Sequence, residues 1–308
     1  MESFFSHAKL ILMGEYAVLH GTNAICLPLK TGQKLEIKNT LPREINWKWS
    51  FGQNILADFT LESESLEIKE ARTGNPQWAK DLILFIRKQN PSFLREKGAS
   101  LHFVNLFPPE WGLGSSSATI SSLCRFAEVN PYLVNEQLMG GSGADIACTT
   151  AEKWFLYRRA LPEPEIWQIP TEFLFPENTF FIYSGQKQET AGHLRNIAKT
   201  ESNYNNAVWP EVDKFILRFL AASTLPETFK IIDDHELLIA SQIQKQPIGI
   251  LFKDFPGKVK SLGAWGGDFF MALSQQPAEF VKNYFSKKGY DKVFLWKDFV
   301  NANSFSEK

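Results

Sequence analysis

The spacing of apolar and polar residues changes along the chain and predicts a strand-rich first third. Short apolar runs at residues 8–13 and 24–29 are typical of buried strands. Residues 34–38, 45–49 and 100–106 alternate between polar and apolar side chains, as half-buried strands do. We therefore expect a sheet built mainly from the N-terminal part of the sequence.

Helical spacing begins later and dominates the second half. Trp78, Leu82 and Ile86 share one helical face, and Asn90-Pro91 is a stop signal for that helix. Two more helices are predicted to start near Pro210 and Pro277, with strands at 154–157, 179–183 and 292–296. Strands and helices that do not alternate strictly indicate an α+β fold.

The chain length favours two domains. A sequence of 308 residues exceeds what one small core usually organises. The proline-rich stretch 161–176 is the best candidate for a junction between domains. We therefore predict an N-terminal domain over residues 1–165 and a C-terminal domain over residues 166–308.

Charge and cysteine content exclude several classes of function. The formal net charge is −1, so no strong field attracts nucleic acid or an anionic membrane. No apolar run is long enough for a signal peptide or a membrane span. Cys26, Cys124 and Cys148 lack the spacing of a zinc site or a disulfide framework. These features predict a cytoplasmic protein whose phosphate binding, if any, is local.

A glycine- and serine-rich segment is the strongest chemical signal in the sequence. It reads Gly112-Leu113-Gly114-Ser115-Ser116-Ser117 and lies between a predicted strand and a predicted helix. Free amides at a helix start attract phosphate, and glycine lets the backbone come close to a ligand. The segment lacks the lysine of a Walker loop. The alternative interpretation is a glycine turn with a serine N-cap.

Four segments together resemble the GHMP kinase superfamily, which includes galactokinase, homoserine kinase, mevalonate kinase and phosphomevalonate kinase. They are the phosphate loop with its preceding Pro109, a first motif at residues 9–21, a segment at 141–147 and a glycine-rich third motif at 260–268. Their order matches the family and they span most of the chain. The resemblance implies a kinase of two α+β domains, with the active site in the cleft between them and with ATP and Mg²⁺ as cofactors.

The resemblance also implies roles for individual residues. Asp145 would orient or deprotonate the acceptor hydroxyl, and Lys9 would lie beside it as the second catalytic group. Ser116 and Glu136 would hold the metal ion, although Glu136 could equally be a solvated helix residue. The nucleotide would bind the phosphate loop and the third motif, through Gly112, Leu113, Gly114, Ser115, Ser116, Ser117, Gly263, Ala264 and Gly266.

The acceptor is predicted to be a small hydroxyl-bearing molecule bound by Glu15, Tyr16, His20 and Lys187. Mevalonate comes first, because the His20-Gly21 pair resembles mevalonate kinases. Phosphomevalonate is the alternative, with Lys187, His193 and Arg195 as extra cations; these three could also be ordinary surface charges. The sequence does not distinguish a monomer from a homodimer.

The third motif departs from the family pattern, because Trp265 stands where a glycine is common. Either this loop lies further from the phosphates or the indole fills a gap beneath it. Asp268 is expected to be a solvated turn residue. The substitution keeps a further alternative open: a nucleotide-binding sensor that has the fold but no longer transfers phosphate.

Overall fold

The structure is a computed structural model that describes residues 2–40, 43–95, 97–170, 173–185, 208–263, 265 and 267–301. Every structural statement below concerns these residues. None of the helices found among them combines the length and apolar character needed to cross a membrane.

The larger sheet contains eight strands. They are β1 (Glu2–Met13), β2 (Asn23–Thr40), β3 (Glu44–Phe51), β4 (Asn54–Glu62), β5 (Ile68–Thr73), β6 (Gly98–Asn105), β7 (Phe155–Arg158) and β8 (Glu165–Gln168). Their order is β5-β4-β3-β6-β2-β7-β8, and β1 pairs with β2. Only the β3–β6 pair is parallel among the described strand pairs of this sheet.

The strand β2 corrects one prediction from the sequence. Residues 24–29 and 34–38 were expected to form two strands, and they belong to one strand of 18 residues. Its length follows from its neighbours. The first half pairs with β7, the second half with β6, and β1 pairs along most of its length. Between these two halves, Gly32 pairs with His7 of β1, so the backbone stays extended there.

Eight α-helices are found in the described part of the chain. They are α1 (Pro76–Gln89), α2 (Ser115–Ala127), α3 (Pro131–Leu138), α4 (Ala144–Cys148), α5 (Trp209–Ala221), α6 (Leu225–Ile243), α7 (Ala278–Lys287) and α8 (Trp296–Phe299). The predicted stop of the first helix is confirmed, because α1 ends at Gln89 and Asn90 is its C-cap. Its start is fixed by Asn75, whose side chain accepts hydrogen bonds from two backbone amides.

The smaller sheet has four antiparallel strands in the order β10-β11-β9-β12. They are β9 (Thr179–Tyr183), β10 (Gly257–Ser261), β11 (Phe269–Ser274) and β12 (Val293–Leu295). The strand predicted at 179–183 is confirmed. The one predicted at 292–296 is shorter, because Trp296 already begins α8.

One hydrophobic core connects the two sheets. It combines side chains of β1 and β2 with side chains of α5, α6 and β11, among them Leu12, Ile216 and Met271. A second core lies between the larger sheet and helices α1 and α2. The mixed fold with two sheets confirms the predicted α+β class. The boundary after residue 165 falls inside β8 and stays a prediction.

Candidate active site

The glycine- and serine-rich segment forms a tight loop that leads into helix α2. Gly112 and Gly114 both adopt left-handed backbone conformations, with φ of +62° and +87°. Gly114 is the N-cap of α2, and no side chain caps the first turn of that helix. Ser115, Ser116 and Ser117 are only partly buried. The start of α2 therefore has the backbone geometry and partly exposed hydroxyls that an anion site requires.

Lys9 connects the loop to the Asp145 segment. Its backbone N–H donates to the carbonyl of Leu113 at 3.1 Å. A Cβ built on Gly114 comes within 2.9 Å of the Lys9 Cγ, so the lysine stem lies directly against the loop. Its Nζ is 3.1 Å from Oδ2 of Asp145. The structure therefore brings the predicted lysine–aspartate pair together beside the predicted phosphate loop.

The charges around Lys9 keep its ammonium protonated. Burial by itself would lower the pKa of Lys9. The attraction of the Asp145 carboxylate and its hydrogen bond outweigh this cost, with a smaller contribution from Asp268, and the pKa is raised. The two side chains are 16% and 34% exposed, so the pair is accessible to a ligand at one edge.

Local backbone geometry places Asp145 in the first turn of α4. Gly143 caps this short helix with φ of +81°, and Ser142 Oγ accepts a hydrogen bond from the Ala144 amide at 3.2 Å. A Cβ built on Gly143 would lie 2.8 Å from the hydroxyl of Tyr157. Glycine at this position is required both by the backbone conformation and by the packing against β7.

Asp268 corrects the expectation of a solvated turn residue. It is partly buried, and its carboxylate lies against the phosphate loop: a Cβ built on Gly112 would be only 1.6 Å from its Oδ2. Any side chain at Gly112 would displace this carboxylate. The end of the third motif therefore contacts the start of the phosphate loop directly, which sequence spacing could not show.

An aromatic cluster anchors the loop to the smaller sheet. Trp111, just before Gly112, has ring-centroid distances of 5.6 Å to Tyr183, 5.9 Å to Phe269 and 5.3 Å to Phe294. Aromatic pairs at such distances add stability beyond the area they bury. The phosphate loop is consequently held between β1 on one side and the smaller sheet on the other.

Glu15 and Tyr16, which are predicted to line an acceptor pocket, are buried and hydrogen-bonded to the third motif. Glu15 is 2% exposed, and its Oε1 accepts from Lys260 Nζ at 2.7 Å and from Trp265 Nε1 at 3.3 Å. The hydroxyl of Tyr16 accepts from the Trp265 amide at 2.7 Å. Both side chains are therefore turned towards the third motif, because a buried ammonium and two N–H donors lie there. His20 stacks on Trp209 at 4.9 Å.

A buried group of ionisable side chains surrounds Lys260. His235 and Glu236 of α6 are 0% and 3% exposed and lie next to Glu15. Burial raises the pKa of Glu236 to about 8. Burial, followed by the Lys260 charge, lowers the pKa of His235 well below its usual range. The side-chain oxygen and nitrogen atoms of Glu15, His235 and Glu236 lie within 4.8 Å of one another, a spacing that could hold a metal ion. The positive charge between these carboxylates is already supplied by the ammonium of Lys260.

The sequence contains a pattern from which this buried ionisable group could have been predicted. His235 and Glu236 occupy the buried stripe of α6, which otherwise consists of apolar side chains at four-residue spacing: Ile231, Ile232, Ile239 and Ala240. Ionisable residues inside an apolar stripe indicate a buried polar network.

Several predicted site residues have other surroundings or lie outside the described chain. Both oxygens of Glu136 accept hydrogen bonds from Arg159, at 3.0 and 3.1 Å. Gly263 is described, with φ of +56° and no atom within 4 Å of an added Cβ. Ala264, Gly266 and Lys187 lie outside the described residues.

Comparisons with known proteins agree with this arrangement. No protein-family model matches the sequence. Mevalonate kinase of Methanocaldococcus jannaschii is 25% identical over 295 residues, covering 88% of this chain and 91% of that protein. The chain is therefore similar to a mevalonate kinase over most of its length.

Solved structures share the fold of this chain. A crystal structure of mevalonate kinase superposes with a TM-score of 0.69 at 19% identity, covering 98% of this chain and all of the other. The phosphomevalonate kinase of Streptococcus pneumoniae, solved with phosphomevalonate and AMPPNP, gives 0.71 at 18% identity, with coverages of 96% and 100%. The fold is thus shared over nearly the full length, and the substrate is not fixed by identities this low.

Proposed function

We propose that this protein is an ATP-dependent kinase that phosphorylates a hydroxyl group of mevalonate. The observation that supports this most strongly is the position of Lys9. Its backbone bonds the phosphate loop, its stem packs on Gly114, and its ammonium lies 3.1 Å from Asp145. One residue therefore places the proposed proton acceptor next to the proposed nucleotide site.

The start of α2 is the proposed site of the nucleotide phosphates. Uncapped amides and the positive end of the helix dipole favour anions there, and the left-handed glycines let the backbone approach them. Ser116 is partly buried at this helix start and has the oxygen that Mg²⁺ prefers as a ligand. Glu136 fits the metal less well, since Arg159 holds its carboxylate. Bound Mg²⁺ would neutralise charge on the phosphates.

Asp145 is the proposed group that receives or orients the proton of the acceptor hydroxyl. The ammonium of Lys9 beside it favours the ionised carboxylate, the form that can accept a proton. The same ammonium can offset negative charge on the group in transfer. Both side chains of this pair are partly exposed, so an acceptor can reach them.

Mevalonate is proposed as the acceptor because the curated relative that covers most of this chain is a mevalonate kinase. Phosphomevalonate is the second candidate. The fold is equally similar to a phosphomevalonate kinase. The cations that would bind its phosphate, with Lys187 among them, lie outside the described residues.

The direct test is ADP release measured with MgATP and mevalonate, phosphomevalonate or galactose, for the native protein and for Asp145→Asn. We expect turnover with one of the first two acceptors, and a loss of at least about a hundredfold in kcat for the variant. MgATP binding should persist, because Asp145 contacts Lys9 rather than the loop.

Asp298→Asn is the matched control, since this aspartate is exposed on α8. It should turn over like the native protein. Full activity in Asp145→Asn would remove Asp145 from the mechanism. Binding of MgATP without turnover of any of the three acceptors would favour the nucleotide sensor over the kinase.

A further inference from the structure

Trp265, the residue that departs from the family's third motif, is bonded through every polar group it has. Its amide donates to the hydroxyl of Tyr16 at 2.7 Å, and its indole N–H donates to Glu15 at 3.3 Å. Its carbonyl accepts from Lys245 Nζ at 2.9 Å. The side chain is 2% exposed. Such complete bonding specifies one orientation of the residue, and the indole is more than a gap filler.

The two partners in the first motif are remote in sequence and close to Lys9 in the fold. Glu15 and Tyr16 follow the end of β1, the strand that carries Lys9. Trp265 is separated from them by about 250 residues. The buried Glu15–Lys260 ion pair strengthens the same connection, since Lys260 is in the strand that leads into the third motif.

The third motif reaches the phosphate loop at its other end. The carbonyls of Gly267 and Asp268 accept hydrogen bonds from the hydroxyl and amide of Ser184, at 2.7 and 2.8 Å. This fixes the backbone from which the Asp268 carboxylate packs against Gly112. The third motif is thus bonded to the first motif at Trp265 and packs against the phosphate loop three residues later, at Asp268.

We propose that Trp265 is a positioning residue: by bonding Glu15 and Tyr16 it holds Asp268 against the phosphate loop, so that the loop is ordered before a nucleotide binds. That the ordered loop binds a nucleotide rests on the proposed kinase function, whereas the ordering of the loop by Trp265 is independent of it. Losing either Trp265 donor bond should therefore loosen the loop although neither bond touches it.

The test compares amide hydrogen exchange of the full-length, ligand-free protein with that of Tyr16→Phe and Trp265→Phe. The first variant removes the acceptor of the Trp265 amide, and the second removes the indole N–H while keeping a buried ring. Trp167→Phe, at a tryptophan that is 44% exposed on β8, is the control. We expect about two- to tenfold faster exchange in peptides covering Trp265 and also in those covering 112–118.

Faster exchange at Trp265 with unchanged exchange at 112–118 would overturn the proposal, and so would unchanged exchange in both. Kinetics give a second readout. The KM for MgATP should rise about three- to tenfold in Trp265→Phe with kcat nearly unchanged, because binding rather than the transfer step is affected. If the native protein does not bind MgATP and the exchange effects are still seen, the kinase function fails and the positioning role of Trp265 stands.

Discussion

Replacing Lys260 with methionine should destabilise the protein far more than the loss of an ordinary surface lysine. Lys260 is fully buried, and its Nζ lies 2.7 Å from Glu15, which is 2% exposed. Methionine fills much of the same volume but leaves the Glu15 carboxylate without its counter-ion in a site that solvent cannot screen. Removing one member of a buried pair costs about 3–5 kcal/mol in free energy of unfolding.

The structure offers a matched control at the same distance. Lys34 and Glu36 are also 2.7 Å apart, but their side chains are 46% and 32% exposed. Lys34→Met should change the free energy of unfolding by less than about 1 kcal/mol. Urea denaturation followed by tryptophan fluorescence at pH 7 measures both variants.

A second variant tests whether charge or packing causes the loss. Glu15→Gln combined with Lys260→Met removes both charges, so the double variant should recover most of the stability that Lys260→Met loses. If Lys260→Met and Lys34→Met have equal free energies of unfolding, the buried Glu15–Lys260 pair contributes no more to stability than the exposed pair.

Two further predictions concern Glu236 and Gly112. The pKa of Glu236 is raised from 4.5 to about 8 in the folded state. The folded protein therefore keeps a proton that the unfolded chain has released. As a result, the free energy of unfolding should fall with rising pH, by up to about 1.4 kcal/mol per pH unit between pH 6.5 and 8. Glu236→Gln, which mimics the protonated acid, should flatten this dependence in pH-dependent denaturation; an unchanged slope would contradict the assignment. His235 makes the free energy of unfolding rise with pH only below pH 6.5, because its lowered pKa leaves the proton on the unfolded chain alone. Gly112→Ala should weaken MgATP binding at least about tenfold in calorimetry, because its Cβ would collide with Asp268 and φ is +62°; equal affinity would place the nucleotide elsewhere.

Much of the secondary structure follows from local patterns, and the failures have a common cause. The apolar spacing of α1 with the Asn90-Pro91 stop predicts that helix well, because both signals act within a few residues. The single long strand β2 was missed because the glycine at position 32 resembles a turn in the sequence. Only the pairing of β2 with β1, β6 and β7 keeps it extended there.

The sequence by itself predicted the chemistry of the candidate site: a glycine-rich helix start, a lysine in the first strand and an aspartate after Gly143, in an order that resembles a known superfamily. Residue type and spacing are enough for this, because these motifs depend on backbone conformations that few residues adopt. Only the tertiary structure decided which distant groups meet. It joined Glu15 to Lys260 and Trp265 and placed Asp268 against Gly112. Contacts between residues hundreds of positions apart depend on how whole elements pack, and no local pattern records that.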